Sequence, residues 1–169
     1  MDVISNTTVL SNFAASEHLD LLRVLYPVLH ISPEVYTEVH EGLDEGYLFY
    51  AAVDRVVYPM VESGWIRVTA MAEEEIKLLG MLPKRLHQGE ASSLAIAKTR
   101  QWVLLTDDVA ARKTAARMEI RFSGSLGRLA LAVERGICSL SEANEWLAEM
   151  MGQGYHSPVT DLRPLLGRK

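Results

Sequence analysis

Apolar positions along this chain follow two alternating rhythms. Short β-like runs occur at residues 2–5, 28–31 ("VLHI"), 65–69 ("WIRVT"), 102–105 ("WVLL") and 120–122 ("IRF"), each brief and bounded by polar or turn residues. Between them apolar residues recur three and four apart, the spacing of one helix face. In "SPEVYTEVHEG", Ser32 suits an N-cap, Pro33 the first helical position and Gly42 the exit. In "GEASSLAIAKTR", Ala91, Leu94, Ala95 and Lys98 share one stripe. In "SLGRLALAVERG", Leu126, Leu129, Ala130 and Val133 share another, which Gly136 ends. Ser139 and Glu142 read as a capping box for a helix whose apolar side holds Leu140, Ala143, Leu147 and Met151. The stretch from Asp44 to Ser63 is expected to be helical as well.

Strands that alternate with helices imply an α/β fold with a parallel sheet covered on both faces and right-handed crossovers. In such folds the functional crevice lies at the carboxyl ends of the strands. Two polar groups occupy that position here. The opening "VISNTTVLSNF" places Asn6 between the first strand and the first helix, and "WVLLTDD" places Asp107 and Asp108 directly after a later strand.

A length of 169 residues fits one domain with a full core. The segment 1–135 carries the alternating pattern, and 136–169 reads as a helical extension packed on the same domain. Charged residues make up 23% and apolar ones 49%, which excludes a disordered chain. No apolar run is long enough to span a bilayer, and Asp2 stands where a signal peptide would carry positive charge. The expectation is therefore a cytoplasmic protein with no membrane association. Cys138 is the single cysteine, so neither an internal disulfide nor a cysteine-based zinc site is possible. The net charge of −5 argues against a general polyanion binder. Residues 84–135 nevertheless hold 10 Lys and Arg against 5 Asp and Glu. Lys84, Arg85, Lys98, Arg100, Arg112, Lys113, Arg117 and Arg121 could form a phosphate-attracting face, or could be solvated helix faces.

Two more carboxylates fall where an apolar residue would pack better. Glu38 lies three residues after Val35 on the inward side of its helix, and Glu90 opens the Ala-rich helix. Each has an ordinary alternative: Asp107 as an N-cap, Glu90 as a complement to a helix N-terminus, Glu38 as a solvated acid beside Glu34 and Glu41, Asn6 as a turn residue. Taken together, acids that converge on one crevice repel each other and need a cation. Oxygen ligands favour Mg²⁺ or Mn²⁺. Such an ion can activate water and stabilise charge on a phosphoryl group, so phosphodiester hydrolysis is the matching reaction.

These residues resemble the PIN domain nucleases over about residues 2–135. "ISNTTVL" looks like the opening strand and turn of that family, and "ISPEVYTEVHEG" is similar to its second segment, with Glu38 on its acid. "LHQGEASSLAIAKTRQWVLLTDDVAARKTAARMEIRFSGSLGRL" resembles its second half, with Glu90 on the Gly-Glu acid and Asp108 on the last one, Asp107 competing closely. The resemblance implies a three-layer α/β/α sandwich around a parallel sheet of about five strands. It also implies a Mg²⁺- or Mn²⁺-dependent endoribonuclease acting on RNA. The implied metal set is Asn6, Glu38, Glu90, Asp107 and Asp108, with Thr7 and Arg112 on the substrate. Many small relatives are toxins of the VapBC type, inhibited by a small antitoxin protein and commonly homodimeric.

The departure is Asn6, where the family usually has its first aspartate. An amide oxygen can bind a cation but brings no charge, so the site should hold its ion more weakly. Two other classes stand beside the nuclease. One is a catalytically weak PIN-like module that binds RNA or a partner protein without cutting. The other is a receiver or phosphatase built on an Asp pair, for which the pair follows too late a strand.

Overall fold

The β-like runs are realised as strands of only two or three residues, every one paired in parallel. The computed structural model describes residues 1–168. Strands Val3–Ser5 (β1), Leu29–Ile31 (β2), Val57–Tyr58 (β3), Ile66–Val68 (β4), Val103–Leu105 (β5) and Phe122–Ser123 (β6) form one sheet in the order β3-β4-β2-β1-β5-β6. Registry is set around β1, where Val3 stands opposite Val103, Ser5 opposite Leu105 and Ile4 opposite His30.

Because successive side chains of a strand point to opposite faces, the sheet feeds two cores. Val3, Leu29, Ile31 and Leu105 join one, packed by helices Thr7–Ala15 (α1), Leu19–Leu25 (α2) and Pro33–Asp44 (α3). Ile4 and Leu104 join the other, with Leu94, Ile96 and Ala97 of a later helix. The expected three-layer α/β/α sandwich is therefore what forms.

The segment expected to be helical over 44–63 is instead a short helix, Tyr50–Asp54 (α4), followed by the edge strand β3, which raises the strand count to six. Gly46 at φ +96° breaks the preceding helix. Gly42 does not end α3, which runs on to Asp44. It is a point of close approach, since a β-carbon there would sit 2.4 Å from the ring of Tyr50.

The second half adds Glu73–Met81 (α5), Gln88–Arg100 (α6), Val109–Arg117 (α7), Ser125–Glu134 (α8), Leu140–Gly152 (α9) and a 3-10 turn at Arg163–Leu165. Helix α6 is buried from Gly89 to Ala97, not along one stripe. Its C-terminal Arg100 reaches α5, donating through Nε to Glu75 Oε1 at 2.6 Å and through Nη2 to Oε2 at 3.0 Å. Strand β6 begins at Phe122 because Glu119, at φ +57°, turns the chain so that Ile120 still closes α7 through Ala115.

Ser139 and Glu142 form the expected reciprocal cap. Helix α9 then buries Ala143, Leu147 and Met150, with Met151 only partly covered. These residues and Leu162 share a core with Phe13 and Leu129. Among the described residues no helix is long and apolar enough to cross a membrane.

Candidate active site

From β1 the chain runs to β2 on one side, whereas β5 and β6 lie on the other side of β1. The exits of β1 and β5 thus flank the point where strand order reverses, the usual ligand crevice of an open α/β sheet. Asn6, 1% exposed, sits at that point and caps α1. Its Oδ1 accepts from the Thr8 backbone N–H at 3.2 Å and the Thr8 hydroxyl at 2.7 Å. The backbone donor fixes the amide orientation, because Nδ2 there would meet another donor. Nδ2 instead donates to Thr106 Oγ1 at 2.6 Å, which also accepts from the Asp108 N–H at 3.1 Å. One threonine hydroxyl thereby ties the two strand exits together.

Beside Asn6 opens a crevice of about 530 Å³ lined by Glu34, Glu38, Glu41 and Glu90, with Thr7, Thr8 and His87. Among the described residues no lysine or arginine lines it. Glu38 Oε1 accepts from the Gly89 N–H at 2.9 Å, and its other oxygen accepts from the Thr7 hydroxyl. A β-carbon at position 89 would lie 2.5 Å from Glu38 Oε1, so only glycine lets this carboxylate approach the start of α6. Glu90, 8% exposed, accepts from the His87 N–H at 3.1 Å. Burial pushes the Glu90 carboxyl above the usual carboxylate range, and the neighbouring Asp108 carboxylate adds to that against the His87 N–H.

Glu34 is the residue that sequence reasoning missed. Its Oε2 is buried without a hydrogen-bond partner and belongs to a side chain lining the acid crevice. A signal was present: Glu34 precedes Glu38 by four, which places both on one helix face. His87 was missed too and adds a nitrogen donor at the rim of a site expected to hold only oxygens.

The two aspartates of "TDD" part company. Asp108 is the N-cap of α7, accepting from the Ala111 N–H at 2.7 Å, and stands next to Glu90. Asp107 turns to the other side, where it accepts from Asn12 Nδ2 at 2.8 Å and from both the N–H and the hydroxyl of Ser125. Asp107 lines a separate cavity and not the acid crevice as expected, and Arg112, expected on the substrate, lines that same cavity. Arg112 stacks over Phe122 at 5.1 Å and donates to the Thr106 carbonyl at 3.4 Å. Two of the basic residues of this stretch are tied down within the fold. Arg100 is bound to Glu75, and Lys98 donates to the Met118 carbonyl at 2.7 Å.

The family model described as PIN domain (DUF3368) matches residues 2–168. The chain belongs to the PIN domain family. PIN domains are generally nucleases and generally use divalent metal ions. Among solved structures, this PIN domain is similar to a PilT N-terminus domain protein, SSO1118, from the hyperthermophilic archaeon Sulfolobus solfataricus P2. The identity is 13%, covering 93% of this chain and 99% of that one at a TM-score of 0.43. No curated protein matches.

The residues of this PIN domain fit a hard cation in kind, since the crevice is acidic, lacks a cation of its own and contains the unpartnered Glu34 oxygen. They are not closed around one point. Among the described residues no three His, Cys, Asp or Glu side chains converge tightly enough to hold a metal.

Proposed function

We propose that this PIN domain is a metal-dependent endoribonuclease that cuts at the acid crevice. The observation that carries the reading is the gathering of Glu34, Glu38 and Glu90 at the strand-order reversal with no basic side chain among them. Glu34, Glu38 and Glu90, with Asp108 beside Glu90, would hold a Mg²⁺ or Mn²⁺ ion. That ion would supply activation of water and stabilisation of phosphoryl charge. Thr7 fixes the Glu38 carboxylate through its hydroxyl, and Gly89 holds the second oxygen through its N–H. Thr106 aligns the exits that carry Asn6 and Asp108. Burial raises the Glu90 carboxyl above the usual range, and a cation beside it would favour the charged form. A toxin role, checked by a small antitoxin protein, belongs to the same proposal and rests on the resemblance of the opening and "GEASS…TDD" segments.

A second reading is a PIN-like module that binds RNA or a partner without cutting. It is favoured by Asn6, whose amide oxygen is already engaged twice by Thr8, and by the open spacing of the acids. One experiment separates the two: a mixed pool of structured RNAs incubated with the protein in Mn²⁺ or EDTA, beside Asp108→Asn and Glu38→Gln. Cleavage that needs the ion and both carboxylates supports the nuclease. Intact RNA with folded protein under every condition supports the binding module.

A further inference from the structure

A second cavity, of about 1270 Å³, is walled by residues of α7, α8 and the chain after α9. It adjoins the acid crevice, because Thr8 of the crevice accepts the backbone N–H of Asp107, which lines the cavity. Its chemistry is the reverse of the crevice's. Arg112, Arg128 and Arg168 line it together with His156, and the two acids present accept hydrogen bonds from neutral donors. Asp107 accepts from Asn12 and Ser125, and Glu134 accepts from the Gly167 N–H at 2.7 Å.

Arg112 and Arg128 are held in place without a direct ion pair, although the Asp107 carboxylate lies near Arg112. Arg112 lies over the Phe122 ring, while Arg128 donates to the Tyr26 hydroxyl and, at 3.0 Å, to Ser123 Oγ. Among the described residues the ion pairs are His18 with Glu149, His40 with Asp54, Lys77 with Glu73 and Arg100 with Glu75, so neither arginine has a carboxylate partner. Gly124 is what allows this arrangement, since a β-carbon there would run into the Asp107 carboxylate and lie 2.7 Å from Arg112 Nη1. Much of the rest of the wall is apolar and aromatic, including Leu131, Met151 and Tyr155. Cations held in place beside aromatic and apolar walls are what a phosphate with an attached base requires.

We propose that this cavity seats a nucleotide unit of the substrate strand neighbouring the one cut, its phosphate on Arg112 and Arg128 and its base against the Phe122 and Tyr155 wall. The inference rests on the nuclease reading for its substrate class. The cavity exceeds the roughly 300–1,000 Å³ of ordinary ligand pockets, which suits a segment of a strand with both ends open. Single-stranded nucleic acid fits better than duplex, because a base buried in the cavity is not paired.

The test uses the full chain in EDTA with a fluorescein-labelled mixed-sequence hexaribonucleotide at low salt, read by anisotropy. In parallel, methionine-methyl NMR follows Met151 in the cavity and Met60 beyond the far edge strand. Binding that shifts Met151 and leaves Met60 unmoved is expected. Arg112→Gln and Leu131→Trp, the second filling the cavity without changing charge, should each weaken binding about tenfold. Arg128→Ala should do the same; because Arg128 also holds Tyr26 and Ser123, the other two variants stand in for it if it does not fold. Unchanged affinity in both of those variants, or a shift of Met60 with Met151 unmoved, would overturn the proposal. So would a Met151 shift produced by a polyglutamate peptide and not by the oligonucleotide, which would assign the cavity to an acidic protein partner. Oligonucleotide binding in EDTA with no cleavage in Mn²⁺ would uphold the cavity while refuting the cutting site.

Discussion

Asn6→Asp adds a charge at a position 1% exposed, and its cost should depend on the metal. The new carboxylate keeps the Thr8 N–H and hydroxyl as donors. The Nδ2 donor to Thr106 is lost, but the Thr106 hydroxyl can turn its own proton to the carboxylate while still accepting from the Asp108 N–H. The start of α1 favours the charge by about 0.3–1 kcal/mol, reaching ~2 in a partly buried geometry. Against that stands the removal of a carboxylate from water, an effective penalty of several kcal/mol, beside an acid crevice without a cation. The metal-free variant should therefore be less stable than the parent by about 1–3 kcal/mol. With Mn²⁺ the added charge should tighten binding about tenfold, which is ~1.4 kcal/mol, and at saturating ion most of the loss is regained. Thermal melts in EDTA and in Mn²⁺, with titration calorimetry for the ion, measure both halves. A variant as stable as the parent in EDTA and with unchanged Mn²⁺ affinity would refute the argument and place the ion away from the β1 exit.

Gly89→Ala should push the Glu38 carboxylate out of the crevice, because the new β-carbon would lie 2.5–2.6 Å from its oxygens. Helix propensity gained and the lost Gly89–Glu38 bond nearly offset, so denaturant melts should differ by no more than about 1 kcal/mol, while Mn²⁺ affinity by calorimetry falls. Arg100→Ala leaves Glu75, 1% exposed, charged without its partner and should cost about 2–4 kcal/mol by urea unfolding. Burial pushes the Glu75 carboxyl up, but the Arg100 and Ala72 hydrogen bonds and the Arg100 charge bring it below the ordinary carboxylate value. Its contribution is thus present at neutral pH and lost as pH falls through that lowered value, so wild type should lose stability on acidification below about pH 4.5 more steeply than Arg100→Ala. Leu147→Ala, at a fully buried position of α9, should cost about 2–5 kcal/mol in a single unfolding transition. A separate early transition would show that residues 136–168 are an appendage.

Much of the fold was legible because the signals were local. A strand covered on both faces reads as a continuous apolar run, and Val3-Ile4 and Leu104-Leu105 do so. The Ser32 and Ser139 caps were legible because a hydroxyl three residues before a helical N–H acts without help from the rest of the chain. The failures lie where a distant element decides. Val57–Tyr58 is a strand only because Ile66–Val68 pairs with it. Gly42 looks like a helix exit until Tyr50 is seen to pack against it.

The candidate site divides in the same way. Glu38 and Glu90 stood out as acids on faces that pack inward, a pattern confined to one helix. Asp107 and Asp108 could not be separated by any local rule, since both follow the same strand and both have the chemistry of an N-cap. What separates them is the Ser125 N–H at the start of α8, 18 residues on, which draws the Asp107 carboxylate away. With Asp107 engaged there, the crevice holds fewer acids than "TDD" promised, and Glu34 takes on added weight. A carboxylate oxygen buried without a donor is costly unless a cation or another partner meets it. Its role decides between the two functional readings: Glu34→Gln that weakens Mn²⁺ binding and stops cleavage makes it a ligand, whereas Glu34→Gln that leaves Mn²⁺ binding unchanged and only stabilises the metal-free fold makes it a bystander in a module that binds without cutting.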